Sequence, residues 1–181
     1  MNKPQPEQTL SRNFFRRPII KPSEIHSPPG AQMSIYQLTD NLYIAPQLTP
    51  ADAAEAARLG IGRVICNRPD GEEPGQPDFA QVQQWLAAEG IDDVQHQPVV
   101  APAIQAGDVA RFKALRQSSH TPVLAYCRTG TRCSLLWGLD QAAAGMPVAE
   151  IIAAAGQAGV DLGNFTERLQ AAAHTDSNKP L

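Results

Sequence analysis

The stretch Val123-Leu124-Ala125-Tyr126-Cys127-Arg128-Thr129-Gly130-Thr131-Arg132-Cys133-Ser134-Leu135-Leu136-Trp137 decides how the rest of the chain is read. Its apolar start suits a buried strand and its end suits a helix, so a tight turn opening on Cys127 joins the two. The backbone N–H groups of Arg128 to Arg132 curl inward in such a turn, and the helix end adds about half a positive charge. An anion is expected in that cradle. The same field favours a thiolate at Cys127, since comparable sites lower a thiol pKa from about 8.5 to roughly 3.5–7.5. Arg132 offers a planar guanidinium that grips a tetrahedral oxyanion in two places. Gly130 lets the backbone approach a ligand without a side chain between them. Ser134, in the first helical turn, is expected to donate a hydrogen bond to the sulfur. Cys133, six residues from Cys127, is a candidate resolving thiol. The competing reading makes Cys127 a small buried hydrophobe at a strand end; such cysteines seldom open a C-x-x-G-x-R turn into a helix.

Outward from this stretch, strands and helices alternate. Ile35–Leu38 and Leu42–Ala45 read as short strands around the turn pair Asp40-Asn41. Thr49 then caps a helix with Pro50 at its first position, Asp52 at its third and Gly60 past its end. Gly62–Asn67 is β-branched and buried in character, which also makes Cys66 a core residue. Arg68–Pro77 (RPDGEEPGQP) is an acidic loop. Asp78–Glu89 places Phe79, Val82, Trp85 and Leu86 on one helical face. Val94–Val100 reads as a strand containing His96, a structural histidine. Asp108–Ser118 reads as a helix with Asp108 as its N-cap, and Pro122–Tyr126 as a strand. Cys133–Ala144, Pro147–Ala158 and Asn164–Ala173 read as the last helices, with Trp137 in the core. The pattern predicts an α/β fold with a largely parallel central sheet and helices on both faces.

The 181 residues predict one domain with a tail. Residues 1–32 carry Pro4, Pro6, Pro18, Pro22, Pro28 and Pro29, no apolar periodicity, and five basic residues against two acidic ones. They read as a disordered basic, proline-rich tail, residues 33–173 as the domain, and 174–181 as a frayed end. Met33, where the pattern begins, is a candidate start. A net charge of −3 argues against a general nucleic-acid binder, and 6% aromatics are too few for base stacking. No apolar run approaches the ~20 residues of a membrane span. Three cysteines cannot all pair, which points to a reducing cytoplasm rather than a secreted disulfide framework. No metal-ligand spacing or nucleotide loop is present, so neither metal nor cofactor is expected. The oligomeric state is left open.

The segment Ala125–Trp137 (AYCRTGTRCSLLW), with Leu42–Leu48 (LYIAPQL), Val64–Glu73 (VICNRPDGEE) and Pro77–Phe79 (PDF), resembles the beta-lactamase hydrolase-like protein phosphatase-like family. This bacterial branch of the cysteine phosphatase fold is matched from about Ile35 to Leu169. The resemblance implies a protein tyrosine/dual-specificity phosphatase-like domain, with Cys127 as nucleophile and the loop Arg128, Thr129, Gly130, Thr131 and Arg132 as the anion cradle; Cys133 and Ser134, next along the chain, are further candidates beside the anion. Two departures stand out. Phosphatases of the tyrosine and dual-specificity kinds carry H-C-x5-R, whereas here the arginine is one residue closer and Tyr126 replaces the histidine. The C-x4-R loop also resembles rhodanese sulfurtransferases, whose cysteine carries a persulfide. The phosphatase acid, moreover, belongs in Val99–Gln105 (VVAPAIQ), which has no carboxylate. Asp70, Glu72, Glu73 and Asp108 are the remaining candidates for a general acid.

Three readings follow: a cysteine-dependent phosphatase-like hydrolase, a rhodanese-like sulfurtransferase, and a phosphate- or sulfate-binding module without turnover. The corresponding partner is a phosphorylated or sulfane-sulfur small molecule or protein.

Overall fold

The computed structural model describes residues 34–176. The predicted tail of residues 1–32 and the last five residues lie outside them. Five strands form one sheet: β1 (Tyr36–Thr39), β2 (Leu42–Ala45), β3 (Arg63–Cys66), β4 (Asp93–His96) and β5 (Val123–Tyr126). Their spatial order is β1-β2-β5-β3-β4. Only the β1–β2 hairpin is antiparallel, so the sheet is largely parallel.

Strand side chains alternate between two cores, as the two-residue repeat of a strand requires. Leu42, Ile44, Ile65, Val123 and Ala125 face one core, which also takes residues of α3 (Ala106–Gln117), α4 (Thr131–Ala143), α5 (Val148–Gln157) and α6 (Thr166–Asp176). Ala45, Val64, Cys66, Leu124 and Tyr126 face the other, packed against α1 (Pro50–Arg58) and α2 (Phe79–Ala88). Helices therefore cover both faces, as the alternation predicts. No described helix is long and apolar enough to cross a membrane.

The α1 signals act as read: Thr49 Oγ1 accepts from the Asp52 N–H while Asp52 accepts from the Thr49 N–H at 2.7 Å, a reciprocal cap. Helix α4 is buried on nearly every side, because α3, α5 and α6 all pack around it. Trp137 and Cys66 are core residues.

Most boundaries differ from the sequence reading by a residue or two, and four of the differences have a structural consequence. Strand β4 ends at His96 rather than Val100, because Pro98 has no N–H to continue the ladder; Gln97 and Val99 still bond to Cys66 and Asn67. Helix α3 starts at Ala106 with Gln105 as its cap, so Asp108 is not the N-cap. It sits in the first turn, where its carboxylate accepts the Gln105 N–H at 2.9 Å. Helix α4 begins at Thr131, two residues before the predicted start. Helix α6 continues through Asp176, so residues 174–176 belong to it rather than to a frayed end.

Candidate active site

The site lies at the carboxyl ends of β3, β4 and β5, where ligands collect in parallel sheets. Backbone bonds tie these ends together: Asn67 N–H to Tyr126 O at 2.8 Å, Gln97 N–H to Cys66 O at 2.9 Å, and Val99 N–H to Asn67 O at 3.3 Å. Cys127 leaves β5 into the turn, and Gly130 caps α4 with φ +84°, the left-handed region that favours glycine. A Cβ at Gly130 would also sit 3.3 Å from Val160 Cγ2, so both backbone and space select glycine.

Cys127 is fully buried at the base of this turn, with the Gly130 N–H donating to Sγ at 3.2 Å. The Cys133 thiol donates to the same sulfur, and the amides of Thr129, Arg132 and Cys133 add to it. Together they outweigh burial and hold Cys127 down at about 5. Cys133 is itself pushed well up, chiefly by burial and then by serving as the proton donor to Cys127. Ser134, expected to bond the sulfur, does not: its Oγ is buried without a partner, and Cys133, one residue earlier, takes that role. Thr129 and Thr131 pair through their hydroxyls at 3.0 Å on the exposed side of the loop. Tyr126, in the place of the phosphatase histidine, points into the α1/α2 core. Iodoacetamide alkylation of Cys127 is expected to titrate with an inflection near 5. An inflection at the ordinary thiol value of about 8.5 would contradict this.

The acidic loop after β3 reaches over the cradle. Glu72 takes both terminal nitrogens of Arg132, at 2.7 and 2.8 Å, and Nη1 of Arg132 also donates to Val99 O at 3.0 Å. Glu73 lies 3.3 Å from Arg128. Between the two carboxylates stands Arg68, 1% exposed, 2.9 Å from Glu72 and 2.8 Å from Glu73. Sequence reasoning missed this arginine; its place beside two acids at a strand's carboxyl end was the available signal.

These contacts separate the two glutamates from the other acid candidates. The Arg132 and Arg68 guanidiniums hold Glu72 below the usual carboxylate range, and Arg68 and Arg128 do the same for Glu73. Carboxylates so held stay ionised at neutral pH and have no proton to give, so neither suits a general acid. Asp108 is spent on the first turn of α3, and Asp70 accepts the Phe79 N–H of α2 at 2.8 Å. The Val99–Gln105 segment carries a short 3-10 turn, Ala101–Ala103, pinned by Arg168 at Ala101 O and Ile104 O (2.6 and 2.7 Å). Arg168 was also absent from the sequence reading. His96 is structural, stacked on Phe79 at 4.3 Å with its Nε2–H directed at Arg68 O. No group of three or more candidate metal ligands occurs among the described residues.

The model of the beta-lactamase hydrolase-like protein, phosphatase-like domain family matches residues 34–144, from before β1 to the end of α4. The chain belongs to this family. Beta-lactamase hydrolase-like proteins are similar to it in sequence. That of Agrobacterium fabrum is 36% identical over 110 residues, 61% of this chain and 25% of the relative. That of Xylella fastidiosa Temecula1 is 31% identical over 132 residues, 72% of this chain and 30% of the relative. The chain thus spans a quarter to a third of the length of these relatives. A candidate phosphatase from Neisseria meningitidis superposes with a TM-score of 0.76 at 59% identity, over 78% of this chain and 99% of that one. Kinase associated phosphatase, at 13% identity, shares the fold with a TM-score of 0.61 over 81% of this chain and 96% of that one. The fold is that of the protein tyrosine and dual-specificity phosphatases.

Proposed function

We propose that the domain is a cysteine-dependent hydrolase of phosphate esters. The observation that carries this reading is the buried Cys127 sulfur, held at about 5 by N–H and thiol donors and therefore a thiolate at neutral pH. The thiolate attacks phosphorus, forming an S–P bond as the ester P–O bond breaks. The loop amides and Arg132 hold the remaining oxygens, whose charge they match. The departing oxygen takes its proton from solvent. Water then attacks the phosphocysteine, releasing inorganic phosphate and restoring the thiolate. A catalytic thiolate that must stay reduced fits the cytoplasm.

A sulfurtransferase is the second reading, favoured by the C-x4-R spacing and by the absence of a carboxylate in Val99–Gln105. Cys127 would take the outer sulfur of thiosulfate, releasing sulfite, and pass it to cyanide as thiocyanate; no general acid is needed. Parallel assays with an aryl phosphate and with thiosulfate plus cyanide separate these readings, and inactivity in both with retained phosphate binding marks a binding module. Arg132→Lys is expected to weaken inorganic phosphate binding by about tenfold, since a point charge loses the bidentate fork. Equal affinity by titration calorimetry would remove Arg132 from the anion site.

A further inference from the structure

A guanidinium has two edges that grip an oxyanion in bidentate fashion: the end, through Nη1 and Nη2, and the side, through Nε and Nη2. In Arg132 the end is taken entirely by Glu72, and Nη1 donates to Val99 O as well. The side edge carries no protein partner at Nε among the described residues, and the guanidinium is attracted to Cys127. Glu72 therefore occupies the end of the guanidinium and leaves Nε on the side edge available.

Glu72 is itself held firmly. Its N–H donates to Gln76 Oε1 at 3.1 Å, and Gln76 donates back to Pro69 O at 2.8 Å, bracing the loop. Its Oε2 also accepts from Arg68 Nε at 2.9 Å. Arg68 reaches the opposite wall, donating through Nη1 to Gln47 Oε1 at 2.9 Å, while the Gln47 N–H donates to Arg128 O at 3.3 Å. The carbonyl of Arg68 is bonded in turn by Cys66 and His96. Arg68, Arg128 and Arg132 balance Glu72, Glu73 and the Cys127 thiolate, so Glu72 does not leave the cluster with a net negative charge that would repel an anion.

We propose that Glu72, anchored by the buried Arg68, is a positioning residue that turns the side edge of Arg132 towards the anion cradle. This rests on Arg132 being the oxyanion grip. A misplacement of about 1 Å costs on the order of 10²-fold in a reaction that depends on geometry. The test is titration of inorganic phosphate into the full chain as wild type, Glu72→Gln, Glu72→Asp and Arg132→Lys, with the alkylation profile of Cys127 and Tm recorded for each. The expected result is a loss of phosphate affinity in Glu72→Gln of about tenfold or more, with the Cys127 inflection unmoved. Glu72→Asp keeps the charge on a shorter arm and recovers part of the loss, and it also serves if Glu72→Gln does not fold. Arg132→Lys weakened while Glu72→Gln binds equally well or more tightly overturns the positioning role; tighter binding would make Glu72 a competitor for the site. Arg132→Lys without effect overturns the grip itself. A fall in Tm with unchanged affinity would reduce Glu72 to a structural ion pair and likewise overturn the proposal.

Discussion

Cys127→Ser is expected to remove turnover of any phosphate ester by at least about 10³-fold while leaving the fold intact. Serine matches the cysteine closely in size, so the buried base of the turn is kept. What is lost is the anionic sulfur: a hydroxyl in the same place keeps its proton at neutral pH, and no base lies beside it to take that proton. Removing a covalent nucleophile in other hydrolases costs up to about 10⁶-fold. Steady-state assays of both proteins with one aryl phosphate check this. Retained activity in Cys127→Ser would mean that the thiolate is a spectator. Phosphate affinity should survive, because the amides of the loop and Arg132 are unchanged.

The rate should depend steeply on the leaving group. General acid catalysis is typically worth 10²–10⁴-fold, and the segment that supplies it in related folds, Val99–Gln105, has no carboxylate. Glu72 and Glu73 are ionised by their arginines and cannot replace it. Their carboxylates lose charge only as pH falls through their lowered pKa values, below the usual carboxylate range, so neither produces an acid limb near neutrality. Alkyl phosphates are therefore expected to react about 10²-fold or more slowly than activated aryl phosphates. A series of aryl phosphates at constant pH reads this directly. A flat dependence would show that a proton donor is present, and alanine at Asp70 and at Asp108 in turn would find it.

The strand–turn–helix at Cys127 was legible because each of its parts is local. Apolar Val123–Tyr126, glycine at 130 and the helix after it sit within a dozen residues, and their backbone geometry follows from those residue types. The two-sided sheet was legible for the same reason, through the alternation along each strand. What the sequence hid is side-chain geometry at helix starts and contacts across the chain. Cys133 and Ser134 are neighbours, and only the phase of α4 decides that the thiol meets Cys127 while the hydroxyl is left without a partner. Asp108 fits either a cap or the first turn by spacing alone. Glu72 and Arg132 stand 60 positions apart, so an acid at a strand's end looked like a proton donor until the arginine beside it was placed. By sequence Arg68 is only the first residue of an acidic loop; its burial follows from the two carboxylates and Gln47 that enclose it.

If the Cys127 sulfur itself takes the phosphoryl group, a covalent intermediate forms on it during turnover. Rapid acid quench during turnover of an aryl phosphate, followed by peptide mass spectrometry, measures it. The expected result is a phosphoryl group on the peptide containing Cys127, absent from Cys127→Ser. An unmodified cysteine in the phosphate reaction, together with a persulfide on Cys127 after thiosulfate, would contradict it and assign the cradle to sulfur transfer.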